Sequence, residues 1–483
     1  MLKKSVKLLA LLLAIAMTAA LSACGKAGTE SGYTSDWEYT DSGEIVGDAS
    51  GDSSDTSDAS GSGSTSSGGN TASNTSSGGK TPTKKPSGDS KFLVDPEDYR
   101  GTTVTYVTWK DPKLNEDGPV IEAFKKKYGI NVNIQLVNQE TYLTTISSNI
   151  AAGKQGDIFF ENGTFPGSLN VMEPLDNAMI NFDDPIWNQS TIKISTIAGH
   201  PYLVDTISNI WAEVDICVYN KNLFKQANLT TTPEELYEAG QWTFDNMRKA
   251  AQAISALGKD YIGVEINSET ALGAAGAHLF NYKNETISAG LDNHLKEVMT
   301  FLAQMKTDGL AALGHRAFND GKVGIGLTNC FALKKNGYFT TINPEHVGVT
   351  YLPTWKAGEK TVSTGIYRGW GLIKGAKNPV AAGIFLREYL DINNYDVDEA
   401  FLNDEVADFF FQVTGAAGNI DYYYGNAMVK ATGTGTEYGD RWATIEPSQI
   451  GTYLDGELNV MKDMAKKAND IIASAKKYIS ENY

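Results

Sequence analysis

Strand-like and helix-like segments alternate from about residue 103 onward, and this order constrains the fold more than any other feature. Three short segments have the apolar or alternating pattern of strands: Thr103–Trp109, Asn131–Val137 and Asp157–Phe160. Apolar residues at helical spacing separate them, first in a segment that Pro119 opens and then between about residues 140 and 152. A β-α-β-α-β order predicts an α/β fold with a largely parallel, doubly wound sheet, where ligands bind beyond the carboxyl ends of the strands.

The ends of the first and third predicted strands carry residues suited to ligand binding. Trp109, Lys110 and Asp111 stand at the end of the first strand, and Glu161 and Asn162 follow the third. Flat aromatic rings beside planar polar groups are typical of sites that bind small polar ligands. The sequence therefore predicts ligand contacts at this edge of the sheet.

The remainder of the chain is predicted to be more helical. Thr232 begins a capping box with Pro233 at the first helical position, and Thr243 caps the next helix. A hairpin is expected across about residues 194–207, followed by a strand over about 210–219. Further helices are expected at about residues 294–307, 380–390 and 454–479.

Residues 1–23 have the composition of a secretory signal peptide. A basic stretch with three lysines precedes an apolar run from Leu8 to Ala20, which is too short to cross ~30 Å of hydrocarbon comfortably. Small residues then stand directly before Cys24, as in the lipobox of bacterial lipoproteins. We expect cleavage before Cys24 and acyl chains that anchor the protein to the membrane. An ordinary signal peptide that happens to contain a cysteine is the alternative.

Residues 24–90 consist mainly of Gly, Ser, Thr, Asp and Asn, and they cannot bury enough apolar surface to offset their ordering entropy. We expect a disordered tether with an r.m.s. reach of roughly 45 Å, at about 5–6 Å times the square root of its length. The residues that follow exceed the ~250–300 that one hydrophobic core supports, which predicts two lobes.

Charge and reactive residues exclude several functional classes. The chain has 41 basic and 58 acidic residues, and removal of the three signal lysines takes the net charge from −17 to −20, which disfavours nucleic acid and anionic membrane surfaces as partners. The five histidines lack metal-ligand spacing, and phosphate-loop and Gly-x-Ser-x-Gly motifs are absent, so no metal and no cofactor are expected. Cys217 and Cys330 lie in apolar runs and are expected to be buried free thiols.

Eight segments, in this order over about 300 residues, resemble the extracellular solute-binding proteins of family 1, which include maltodextrin-binding and other sugar-binding lipoproteins. The segments are Thr103–Trp109, Val120–Lys125, Gly156–Phe160, Met172–Asp176, Val218–Phe224, Phe318–Ile325, Val347–Thr354 and Lys377–Leu386. The resemblance extends from about Asp95 to Tyr483.

The resemblance implies a type II periplasmic-binding-protein-like fold, in which two α/β lobes are joined by a hinge of several segments around a ligand cleft. Residues 95–207 and 316–362 are expected to form the first lobe, and residues 208–315 and 363–483 the second. The implied function is capture of a carbohydrate, expected to be an oligosaccharide, and its delivery to the permease subunits of an ABC importer. We expect a monomer without enzymatic activity at the extracellular face of the cell membrane, attached only through its lipid anchor.

The resemblance also implies roles for particular residues. Glu161 stands where maltodextrin binders place a stacking tryptophan, a departure that argues against maltodextrin, while Phe331 matches another stacking tryptophan. Glu213 matches a ligand-binding glutamate, and Lys110 and Asp111 match the polar loop after the first strand. Additional candidate ligand contacts are Trp211, Tyr282, Arg368, Trp370, Tyr423 and Trp442. For each aromatic residue, packing in the core or at the hinge is the alternative.

Two other functions remain open at the level of sequence. Glu161 and Glu213 have the chemistry of a general acid and base, as in a secreted glycoside hydrolase. Together with Asp111 and nearby aromatic rings they would also suit a cationic amine or a peptide.

Overall fold

We describe a computed structural model of the chain that covers residues 91–114, 117–206, 214–314, 316–334, 337–359, 363–366, 368–391, 401–414, 420–423 and 438–483. The strands in these ranges are β1 Thr103–Thr108, β2 Asn131–Leu136, β3 Ile158–Glu161, β4 Met172–Glu173, β5 Thr196–Ile197, β6 His200–Pro201, β7 Asp215–Asn220, β8 Ile262–Ile266, β9 Phe280–Tyr282, β10 Ile287–Ala289, β11 Ala311–Leu313, β12 Val323–Asn329, β13 Val347–Thr350, β14 Ser363–Ile366, β15 Gly369–Ile373 and β16 Ile420–Tyr423.

The helices in the same ranges include the predicted ones and four that were not predicted, at residues 189–195, 221–226, 268–274 and 404–414. They are α1 Asp117–Tyr128, α2 Tyr142–Ala151, α3 Gln189–Ser195, α4 Lys221–Gln226, α5 Pro233–Glu238, α6 Phe244–Ser255, α7 Ser268–Ala274, α8 Asn293–Thr307, α9 Pro379–Tyr389, α10 Asp404–Thr414 and α11 Ile450–Asn482. Thr232 and Thr243 cap α5 and α6 as predicted, with the reciprocal bonds of a capping box at Thr232. Within the described ranges, no helix combines the length and apolar character of a bilayer span.

The first sheet has the order β2-β1-β3-β15-β4. β1 lies between β2 and β3 and pairs in parallel with both, whereas β15 is antiparallel to β3 and to β4. Helices α1 and α9 pack together through their apolar faces. Phe124 of α1 is buried, and its ring lies 5.1 Å from that of Phe385 of α9. The predicted parallel α/β sheet is confirmed.

The second sheet has the order β11-β8-β12-β7-β13. β8 pairs in parallel with β11 and β12, and β7 is antiparallel to β12 and β13. Both predicted free thiols lie in this part of the protein: Cys217 is in β7 and Cys330 directly follows β12, and both are buried and unpaired with each other.

Strand pairing corrects the segments assigned to each lobe. The prediction placed residues 316–362 in the first lobe, but β12 and β13 pair with β7 in the second sheet. It placed residues 363–483 in the second lobe, but β15 pairs with β3 and β4 in the first sheet. The physical reason is that a buried strand presents the same apolar pattern to either sheet, so its partners depend on long-range packing.

The chain passes between the sheets at several points. It leaves the first sheet after Thr206 and enters the second at Val214, and it returns near Arg368. After Asp391 it is again on the second sheet's side, where Phe401 forms a β-bridge with Lys334. Several such crossings permit rotation of the two lobes about a hinge.

Candidate functional site

Trp109 is the half-buried aromatic residue that directly follows β1 at the carboxyl edge of the first sheet. Its ring packs edge-on against Tyr142, with centroids 4.8 Å apart, and at a tilt against Phe160, 6.2 Å away. These contacts hold the indole in one orientation while part of it remains exposed. Such an arrangement suits a preorganised stacking platform.

Lys110 and Asp111 shape the loop after β1. The Lys110 backbone N–H donates to Thr108 Oγ1 at 3.3 Å, and Asp111 Oδ1 accepts from the Lys113 N–H at 3.0 Å. Asp111 therefore caps the short 3₁₀ turn Pro112–Leu114 and fixes the backbone next to Trp109.

Glu161 is completely buried, with both carboxylate oxygens occupied by its own turn. Oε2 accepts from the Gly163 N–H at 3.1 Å, and Oε1 accepts from the Thr164 N–H at 2.5 Å and from the Thr164 hydroxyl. Burial raises the pKa of Glu161, while the bonds from Thr164 and Gly163 and the charge on Arg368 act in the opposite direction. Glu161 organises the turn that presents Asn162.

Asn162 follows β3 directly and is half-buried. Its Oδ1 atom is buried and has no hydrogen-bond partner among the described residues. A buried amide oxygen without a partner costs ~1–3 kcal/mol. A hydroxyl group of a bound molecule would remove that cost.

Arg368 directly precedes β15, whose first residue, Gly369, pairs with Glu161 at the end of β3. Arg368 is buried. Burial raises the pKa of Glu161, the last residue of β3, and of Tyr338, and the positive charge of Arg368 offsets part of each increase. The charge of Arg368 therefore acts on a group at the end of β3 and on one in the segment after β12.

The end of β12 in the second sheet carries polar residues that the sequence analysis missed. Asn329 ends β12 and is paired in register with Asp215, the first residue of β7. Asn329 hydrogen-bonds the Tyr338 side chain, and Arg316 lies over the Tyr338 ring at 5.3 Å from its centroid. Asn329 and Asp215 are polar residues at the ends of apolar strands, and this pattern could have identified them. The prediction that β12 belongs to the first lobe concealed their pairing.

Three predicted platforms are core residues. Phe331 and Trp442 are completely buried, and Trp370 is 5% exposed. Phe331 packs on Tyr338, Trp370 packs on Phe160 and Tyr389, and Trp442 donates from Nε1 to Ser268 Oγ at 2.8 Å. A ring enclosed on all sides cannot stack on a ligand in this conformation, so packing explains these residues.

The remaining predicted residues lie elsewhere or outside the described ranges. Tyr282 is half-buried in β9, where burial raises its pKa. Trp211, Glu213 and the lipid-anchor candidate Cys24 lie outside the described residues, and Tyr423 is described only as part of the backbone of β16. In the described ranges, no group of three or more His, Cys, Asp or Glu side chains is arranged to hold a metal ion.

A family model described as "Bacterial extracellular solute-binding protein" matches residues 100–391. None of the curated proteins matches the sequence. Several solved structures share the fold. The sugar-binding protein MalE from Xanthomonas citri is 14% identical, with a TM-score of 0.55 over 79% of this chain and 100% of that chain.

Two further structures with similar folds come from other bacteria. The galacto-N-biose-/lacto-N-biose I-binding protein of an ABC transporter from Bifidobacterium longum is 14% identical, with a TM-score of 0.52 over 78% of this chain and 98% of that chain. The cyclic alpha-maltosyl-1,6-maltose binding protein from Arthrobacter globiformis is 13% identical, with a TM-score of 0.53 over 78% of this chain and 99% of that chain. At these identities the likeness establishes the two-lobed fold.

Proposed function

Because this chain belongs to the family of bacterial extracellular solute-binding proteins, whose model matches more than half of it, we propose that it captures an oligosaccharide between its lobes for an ABC importer. The observation that carries the proposal is strand register, which puts Trp109 after β1, Asn162 after β3 and Arg368 before β15 at one edge of the first sheet. Trp109 offers a partly exposed ring for a sugar face, and Asn162 offers an acceptor for a hydroxyl.

The proposed lobes follow the strand pairing. The first comprises about residues 91–206 and 368–391, around β1, β2, β3, β4 and β15. The second is built around β7, β8, β11, β12 and β13. Ligand contacts from both lobes favour the closed arrangement, and the closed protein is the form that a permease would recognise.

Carbohydrate is proposed as the ligand class for two reasons. The structural neighbours from Bifidobacterium longum and Arthrobacter globiformis are named for the sugars that they bind. In addition, the carboxylate of Glu161 is enclosed by its own turn, which removes one of the three acidic groups of the pocket predicted for a cationic amine.

The same burial argues against Glu161 as a general acid or base, because a catalytic carboxyl must reach the scissile bond. We propose that the protein binds its ligand without cleaving it. We also propose that Cys24 carries the lipid anchor and that residues 25–90 tether the lobes to the extracellular face of the membrane.

Fluorescence titration of the purified protein with maltose, mannotriose, lacto-N-biose and spermidine tests the ligand class. A saturable change with at least one sugar and none with spermidine is expected, and Trp109→Ala should weaken it. Chromatography of the recovered sugar tests for cleavage and should return it intact. A response to spermidine alone would overturn the sugar assignment, and shortened products would overturn the assignment as a binding protein.

A further inference from the structure

The long C-terminal helix α11 contacts both lobes along its length. Its first half packs on α8 of the second lobe, where Asp455 forms an ion pair with Lys296 at 2.5 Å. Midway, the Asn469 side chain binds the backbone of Ile287 in β10 twice: Oδ1 accepts from the Ile287 N–H and Nδ2 donates to the Ile287 carbonyl, each at 2.8 Å.

The last turns of α11 lie on the first lobe instead. Lys374, directly after β15, places Nζ 4.3 Å from the centroid of the Tyr478 ring. Asn177 Nδ2 donates to the Tyr483 hydroxyl at 2.7 Å, and the ring of Tyr483 lies 5.2 Å from that of His200 in β6. One rigid element is therefore fastened to both lobes.

Two hairpin tips, one from each lobe, meet beside this helix. The β9–β10 turn holds Asn284 and Glu285 at φ values of 51° and 53°, and the β5–β6 turn holds Ala198 at 51°. Glu285 Oε1 accepts from the Ala198 N–H at 2.9 Å, and Glu285 Oε2 forms an ion pair with Lys476 of α11 at 2.7 Å. We call this three-part contact the latch.

We propose that residues 450–483 act as a strap across the lobes, with Glu285 as a positioning residue whose latch helps to set their relative orientation and thereby the ligand affinity. The inference rests on the proposed capture of solute by lobe closure, but none of the latch residues lies in the candidate site. A contact between lobes biases the population of each orientation. The apparent dissociation constant then changes in inverse proportion to the binding-competent fraction.

The test measures the distance between the lobes before any ligand is added. Spin labels at Glu122→Cys in α1 and Gln252→Cys in α6, both exposed positions, report one lobe each by double electron–electron resonance. The native thiols Cys217 and Cys330 are buried and should remain unlabelled. The variants are Lys476→Met, which removes one arm of the latch, and the combination Glu285→Ala with Tyr478→Ala.

Lys466→Met is the matched control, because among the described residues Lys466 forms its ion pair within the helix, with Asp470 at 3.2 Å, and both side chains are exposed. We expect the latch variants to shift or broaden the distance distribution and the control to reproduce the parent. Identical distributions in parent and latch variants, with circular dichroism showing folded protein, would overturn the strap. This result does not depend on which solute is bound, so it is distinguishable from failure of the sugar assignment.

Calorimetry with mannotriose measures the consequence for affinity. The combined variant should change the dissociation constant by about fivefold, the lower end of ordinary coupling between sites. Binding should be tighter if the unliganded lobes move together and weaker if they move apart. An unchanged constant despite a shifted distance distribution would overturn the link between the strap and affinity.

Discussion

Replacement of Trp442 by phenylalanine tests whether this residue packs in the core, as the structure places it, or contacts ligand, as the sequence predicted. Its indole is completely buried and its Nε1 donates to Ser268 Oγ at 2.8 Å, within the second lobe. Phenylalanine removes that donor and leaves a small cavity. If Trp442 is a packing residue, the variant loses stability and retains its affinity.

The expected loss has two parts. The unmade hydrogen bond to a buried hydroxyl costs ~1–3 kcal/mol. The roughly 40 Å³ by which an indole exceeds a phenyl ring adds about 1 kcal/mol at 24 cal/mol per Å³ of cavity. The free energy of unfolding should therefore fall by about 2–4 kcal/mol.

Urea unfolding followed by far-UV circular dichroism measures this loss. Ser268→Ala and the double variant complete a double-mutant cycle, which should give a coupling energy of about 1 kcal/mol because each single change removes the same hydrogen bond. Affinity for a responding sugar should remain within about twofold. A tenfold loss of affinity with an unchanged free energy of unfolding would refute the packing assignment and return Trp442 to the ligand site.

Three other results are expected. Trp109→Phe should keep the fold but weaken sugar binding and the fluorescence response, because a smaller ring replaces the exposed platform; an unchanged titration would contradict its role. Glu265 accepts backbone N–H groups of residues 316–318 at 2.9–3.0 Å, yet burial raises its pKa, so its folded state holds the proton more tightly. The stability of the parent relative to Glu265→Gln should consequently decline as pH rises above about 4.5, measured by urea unfolding, and a constant difference would contradict this sign. Cys217 and Cys330 are buried with raised thiol pKa values, so a thiol reagent should modify them only in denaturant, and rapid labelling of the native protein would show that they are accessible.

Local patterns predicted several of the individual elements. The apolar face of α1, the capping box at Thr232 and the end of α8 at Thr307 were all read from spacings within one or two helical turns. The residues after β1 and β3 were also predicted to lie at a ligand-binding edge, because parallel strands place their carboxyl ends together. Trp109 and Asn162 keep that position, whereas Glu161 is used by its own turn.

The sequence by itself determined the positions of most of the longer helices and of the first three strands, because hydrophobic periodicity and capping act between near neighbours. Only the tertiary structure decided which sheet β12 and β15 join and which aromatic rings are enclosed. Trp442 and Ser268 are 174 residues apart, and no local pattern distinguishes a buried tryptophan from one that lines a cleft. Burial of a ring depends on what packs against it, and that partner is chosen by the fold as a whole.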